Sequence, residues 1–186
     1  MITVVTLGNP GDRYRHTPHN AGWIIADKVV PNDAWRFEKY AQADVAEVDG
    51  VLWVKPKTYM NNSGEVVPFL KKQYGATSGS LCVLHDDLYL PYGTLKISHS
   101  RGDGGHNGVK SIARHFGSNL FGRLRVGIEQ DETDAMPADR YVLSQLSPSR
   151  LAEIHDLVPH VKKVITTIAE SGFEAAMNKY NEGKPQ

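Results

Sequence analysis

Short apolar runs alternate along the chain with longer stretches whose apolar positions recur at helical spacing. Residues 2–7 form a largely apolar run that predicts a buried strand, and Gly8, Asn9, Pro10 and Gly11 end it abruptly. Residues 21–30 then carry a helical pattern, with His19 and Asn20 immediately ahead of it. Asn9 is thereby placed at a strand end, and His19 near the mouth of the same strand. Segments 35–40 and 42–48 read as extended. Asp49 and Gly50 give a hairpin signal before residues 51–54, which predicts an antiparallel middle to the sheet. Asn62 or Ser63 is positioned to cap a helix carrying Val66, Val67, Phe69 and Leu70, with Pro68 tolerated in its first turns and Gly75 at its end.

Residues 81–84 read as a short strand ending at His85, Asp86 and Asp87, and residues 94–98 as another. A glycine-rich loop, RGDGGHNG, opens a helix over 109–116, and residues 123–128 alternate as a strand. From Ser147 the pattern is helical, with Ile154, Leu157, Val158, Val161, Val164, Ile165 and Ile168 on one face and a break at Gly172 before a short helix over 173–180. This alternation predicts an α/β architecture, a mixed twisted sheet flanked by helices. At 186 residues the chain fits one domain with one well-buried core, spanning residues 1–186 with a loose tail at 181–186.

Composition changes little: 40% hydrophobic and 23% charged residues argue against disorder and fibrous classes. No basic start followed by a long apolar region is found, so a cytoplasmic protein with no membrane association is expected. The single cysteine, Cys82, lies among Leu81, Val83 and Leu84 and reads as a buried structural thiol.

The formal net charge of zero conceals an uneven distribution. Lys96, Arg101, Lys110, Arg114, Arg123 and Arg125 stand against only Asp103 between residues 94 and 128, with His99, His106 and His115 added. Glu129, Asp131, Glu132, Asp134 and Asp139 follow. Two solvated faces explain such a pattern as well as an anionic ligand does.

The candidate chemistry collects at strand ends. A histidine that takes a proton from water needs its tautomer fixed, and a carboxylate on its other ring nitrogen does this; His19 and Asp86 suit the roles. Asn9, Asn61 and Asn107 offer uncharged donors and acceptors for a carbonyl, an amide or a developing oxyanion. No GxSxG elbow is found, so attack by water fits better than an acyl-enzyme. His16, His19, His85 and Asp86 also suggest a metal, although no zinc spacing is matched, and the glycine loop lacks the lysine and hydroxyl of a P-loop. The asparagines equally suit turns and caps.

Six motifs occur in order: LGNPG at residues 7–11, HNAG at 19–22, TYMNNSG at 58–64, HDDL at 85–88, GGHNG at 104–108 and RLRVGI at 123–128. Together they resemble the bacterial-type peptidyl-tRNA hydrolases over essentially the whole chain. The resemblance implies a single α/β domain with a mixed sheet between helices. The implied reaction is hydrolysis of the ester joining a peptide to the 3′ ribose of tRNA, by a monomer with no metal or organic cofactor. By the same resemblance His19 matches the general base, and Asp86 the acid that orients it. Asn9 matches the residue that separates N-blocked from free aminoacyl esters. Tyr14, Tyr59, Asn61 and Asn107 match positions that hold the peptide and the tRNA 3′ end, Met60 part of the pocket wall, and His106 a further substrate-binding position. Arg125, with Arg123, Lys110, Arg114 and Arg101, is expected on acceptor-stem phosphates. The chain departs from the family pattern at Thr6, where a glycine is common, at Pro18, where an arginine is common, and at Ser98, which aligns with a lysine. A non-catalytic RNA-binding relative on the same scaffold is the alternative.

Overall fold

The computed structural model describes residues 1–130 and 136–181. Seven strands form one sheet: β1 (Ile2–Thr6), β2 (Arg36–Glu38), β3 (Ala43–Val48), β4 (Val51–Pro56), β5 (Leu81–Asp87), β6 (Leu95–His99) and β7 (Gly122–Gly127), in the order β2-β3-β4-β1-β5-β7-β6. The helices are α1 (Ala21–Val29), α2 (Val67–Tyr74), α3 (Asn107–Phe116), α4 (Ala138–Tyr141), α5 (Pro148–Asp156) and α6 (Val158–Tyr180).

The mixed α/β sheet agrees with the expected class, but its middle does not. The four central strands, β4, β1, β5 and β7, run parallel, and antiparallel pairing is confined to β2-β3-β4 on one side and β6-β7 on the other. The Asp49–Gly50 hairpin does form, both residues taking positive φ, yet it joins β3 to β4 toward one edge. Central strands buried on both faces lose the apolar–polar alternation, and every residue of β1, β4 and β7 is buried. The alternation expected over residues 123–128 is therefore absent.

Successive β1 residues feed opposite cores. Val4 packs with Ile25, Leu84, Leu124, Ile154 and Ile168, whereas Val5 packs with Val54, Leu70, Val83, Ile112 and Phe121. Cys82 is buried in the first cluster and its thiol is pushed up to about 12 by that burial, as a structural cysteine requires.

Local corrections follow the same logic. A 3-10 helix spans Met60–Val66 ahead of α2, and Ser63 donates its hydroxyl to the Met60 carbonyl at 2.9 Å instead of capping α2. β5 does not stop at residue 84; it carries His85 and Asp86 inside the sheet. The helix from Ser147 is two helices, and the expected break at Gly172 is present inside the second: its φ of 83° and ψ of 174° are not helical, and a short helical stretch follows it. Asn181 follows it and both donates to and accepts from the Ile97 main chain, at 2.7 and 2.9 Å, along the outer side of β6. The loose tail expected over residues 181–186 lies, beyond Asn181, outside the described residues, as do Asp131, Glu132 and Asp134 of the acidic stretch.

Candidate active site

The parallel strands share one carboxyl end, and the chain crosses it repeatedly, where open α/β sheets form ligand sites. Two close approaches let the helices reach it. A Cβ on Gly22 would lie 2.6 Å from the Leu84 carbonyl oxygen, so only glycine lets α1 press onto β1 and β5 and carry His19 with it. Likewise a Cβ on Gly108 would lie 2.4 Å from Met60 Sδ, so glycine lets the start of α3 seat against Met60.

Asn9 is buried and held by three hydrogen bonds. Its Oδ1 accepts from the Met60 main-chain N–H at 2.8 Å, its own N–H donates to Asn20 Oδ1 at 2.9 Å, and its carbonyl accepts from Asn20 Nδ2 at 3.0 Å. Asn9 Nδ2 has no hydrogen-bond partner among the described residues and remains as a fixed donor. Sequence reasoning missed Asn20 as the residue that locks Asn9; its place in the HNAG motif was the available signal.

His19 and Asp86 meet. His19 Nδ1 lies 3.0 and 2.9 Å from the two carboxylate oxygens, with the His19 side chain 13% exposed and Asp86 2%. The His19 main-chain N–H is fixed by the Val142 carbonyl at 2.9 Å. His106 completes the arrangement, its Nε2 lying 2.8 Å from Asp86 Oδ1. Its Nδ1 accepts from the N–H groups of Gly108 and Val109, capping α3, so the ring proton must sit on Nε2 and be donated to Asp86. The tautomer follows from the helix cap. His106 was expected among the substrate-binding residues; its ring is instead committed to the carboxylate and the helix.

Burial of Asp86 opposes its ionisation, but the charge of His19 and the hydrogen bonds from His106 and His19 outweigh that and hold the carboxyl far below the usual range. Burial likewise lowers the His19 pKa, and Asp86 more than reverses this, leaving it raised above the ordinary 6.5. His85 also adjoins Asp86, donating from Nδ1 to its main-chain carbonyl at 2.6 Å. Burial above all keeps it neutral.

Among the described residues, His19, Asp86 and His106 are a group whose ligand atoms all lie within 4.8 Å of one another. The His106 tautomer argues against a metal there: with Nδ1 taken by two amides, Nε2 has a proton and no lone pair to offer. His16 is exposed and His85 spends Nδ1 on a main-chain carbonyl, and among the described residues neither joins that group.

Two openings meet at Asp103 and Asn107, and one of them is bordered by the carboxylate. A cavity of about 280 Å³ is lined by His19, His85, Asp86, His106, Asp139 and Val142 among others. A groove of about 640 Å³ runs along α3 past Asn61, Asn107, Lys110 and Arg114, and Asn107 lines both. Tyr14 and Tyr59 stand edge to face with ring centres 6.4 Å apart, Tyr59 being 57% exposed.

The basic segment divides. Lys110, Arg114 and Arg101 are exposed, but Arg123 and Arg125 are buried at 2% and 5%. Arg125 donates to Asp87 Oδ2 from Nε at 2.8 Å and from Nη2 at 2.7 Å. A guanidinium spent on a carboxylate under cover does not suit the expected phosphate contact, and the same burial removes Arg123. Of the departures noted in sequence, Thr6 is buried with its hydroxyl donated to the Val54 carbonyl. Pro18 starts the short turn bearing His19, and Ser98 has a buried hydroxyl with no partner among the described residues.

A profile of the peptidyl-tRNA hydrolase family matches residues 3–186. The chain is 39% identical over 187 residues to the peptidyl-tRNA hydrolase of Lactiplantibacillus plantarum, covering 97% of this chain and all of that one. It is 37% identical over 182 residues to that of Thermotoga maritima, covering 97% of each. The crystal structure of peptidyl-tRNA hydrolase from Acinetobacter baumannii superposes with a TM-score of 0.80 at 29% identity, over all of this chain and 97% of the other. Family profile, near full-length relatives and fold agree: the chain belongs to the peptidyl-tRNA hydrolase family.

Proposed function

We propose that the chain hydrolyses the ester between peptide and tRNA in peptidyl-tRNA by attack of a water molecule that His19 deprotonates. The observation that carries this is the His19–Asp86 pair at the mouth of a cleft, with His19 Nε2 having no protein partner among the described residues. Asp86 keeps the proton on Nδ1, so Nε2 presents its lone pair to water and becomes positively charged as the ester is attacked. Asn9 Nδ2, held from behind by Asn20 and Met60, donates to a carbonyl of the blocked amino acid. Asn61 and Asn107 hold the tRNA 3′ end beside Tyr14 and Tyr59, whose rings suit stacking. No metal enters this scheme. Pure RNA binding would need no oriented base, which disfavours the non-catalytic reading. We place the enzyme in the cytoplasm as a monomer, with residues 1–186 as one catalytic unit. No helix among the described residues is long and apolar enough to cross a membrane.

The test is release of free tRNA from N-acetyl-aminoacyl-tRNA against the unblocked ester, measured across pH. Only neutral His19 can accept a proton, and its pKa is raised, so kcat/KM should climb with pH through a midpoint above 6.5. A flat profile, or a midpoint below 6.5, would count against His19 as base.

The exposed bases on α3 carry the phosphate contacts. Lys110→Ala and Arg114→Ala should each weaken substrate affinity and flatten the log–log salt dependence by about 0.7 to 0.9. Arg125→Ala should leave that slope unchanged, and should instead destabilise the fold by about 3 kcal/mol because Asp87 loses its partner. Equilibrium binding at several salt concentrations, with denaturant melts, separates the two behaviours; a reduced slope for Arg125→Ala would return it to the phosphate-binding set.

A further inference from the structure

Residues 100–106, the glycine-rich loop between β6 and α3, deliver His106 to Asp86, yet they touch the body of the protein sparingly. Ser100, Gly104 and Gly105 adopt φ of 57°, 62° and 80°. A Cβ added at Gly102, Gly104 or Gly105 would meet nothing within 4 Å. Inside the loop, Asp103 accepts from the N–H groups of Gly105 and His106. Across to the sheet, Arg123 on β7 donates from Nη1 to the Gly102 carbonyl and from Nη2 to the Arg101 carbonyl, both at 2.5 Å. Among the described residues no other side chain outside the loop hydrogen-bonds residues 101–105. Arg123 is almost fully buried, and no carboxylate pairs with it among the described residues. Such a guanidinium is costly to bury; here Nη1 and Nη2 are met by two consecutive main-chain carbonyls, in the two-pronged geometry that lysine cannot copy, while Nε has no partner among the described residues.

We propose that Arg123 is a positioning residue: by gripping the Arg101 and Gly102 carbonyls it sets where the glycine loop lies, and thereby whether His106 reaches the carboxylate that orients His19. The link is electrostatic at its far end. Asp86 Oδ1 accepts from His106 while the same carboxylate accepts from His19. When His106 withdraws, Asp86 loses a donor and turns more of its charge on His19, which stabilises the imidazolium. The other ionisable groups lining the cavity of His19 and His106 are His85 on β5, Tyr89 after it, Asp103 in the loop and Asp139 on α4, with Asp87 paired to Arg125. Of these, Asp103 belongs to the segment Arg123 holds and moves with it.

The experiment follows the His19 imidazole by NMR through a pH titration, without substrate, in the parent protein, Arg123→Met, Arg123→Lys, His106→Phe and the Arg123→Met/His106→Phe double variant. Arg123→Met and His106→Phe should each raise the His19 midpoint by roughly half a pH unit or more. The double variant should move no further than His106→Phe alone, and Arg123→Lys should fall between parent and Arg123→Met. An unshifted midpoint in Arg123→Met, or shifts that add in the double variant, would overturn the proposal. If Arg123→Met does not fold, an unshifted midpoint in Arg123→Lys does so. The proposal rests on the His19 reading only for its catalytic consequence. Should the NMR midpoint move while the kcat/KM profile stays put, Arg123 positions the loop and it is the base assignment that fails.

Discussion

His19→Ala is expected to lower turnover of N-acetyl-aminoacyl-tRNA by about 10²- to 10⁴-fold, the range general-base assistance supplies. Binding should survive, because His19 Nε2 has no protein partner to lose and Asn9, Asn61, Asn107 and the exposed bases of α3 are untouched. The fold should survive too. Asp86 loses the His19 ring but keeps its bond from His106, and the His19 N–H to the Val142 carbonyl belongs to the main chain. Single-turnover kinetics with saturating enzyme, beside a thermal melt, measure both; a variant that keeps turnover within threefold of the parent would show that some other group takes the proton.

Asp86→Asn should be nearly as damaging, on the order of 10⁴-fold in kcat, for a reason specific to this arrangement. The His106 proton is fixed on Nε2 because Nδ1 caps α3, so His106 requires an acceptor from residue 86. An asparagine has one acceptor oxygen, and His106 takes it. The remaining NH₂ then faces His19 Nδ1 and forces the His19 proton onto Nε2, the atom that must be bare to accept from water. The substitution removes a charge and also installs the wrong tautomer. Nitrogen chemical shifts of the His19 ring report the tautomer directly, and kcat reports its cost. A variant with the proton still on Nδ1, or with kcat within tenfold of the parent, would break the argument.

How much of this was legible beforehand depends on whether the signal is local. The pairing of His19 with Asp86 was readable, since a base needs an orienter and few carboxylates sit at strand ends. The six ordered motifs supplied the residue numbers. The hairpin at residues 49–50 was readable from two residues. The parallel centre was not, because parallel neighbours are joined by long crossovers and leave no turn signature. Asp86 reads in sequence as lying beyond a strand because its polarity hides the fact that β5 continues to Asp87. Arg123 and Arg125 misled for a related reason: arginines in a charge count are taken for surface, yet these two point the same way from a strand flanked on both sides. Their spacing of two, next to buried Leu124, was the overlooked clue. The role of His106 needed coordinates, since it depends on which ring nitrogen meets which amide.

Asn181 bears on how these molecules behave toward one another. A sheet with two rims is open to growth by a stray strand from another chain. At the β2 rim the strand is three residues long and carries Arg36 and Glu38. At the β6 rim the primary amide of Asn181 imitates a neighbouring strand's peptide group, satisfying both the N–H and the C=O of Ile97. The lateral template is thus blunted by one side chain at the end of the last helix, and resistance to fibrous stacking in a crowded solution is written into a residue far from any chemistry.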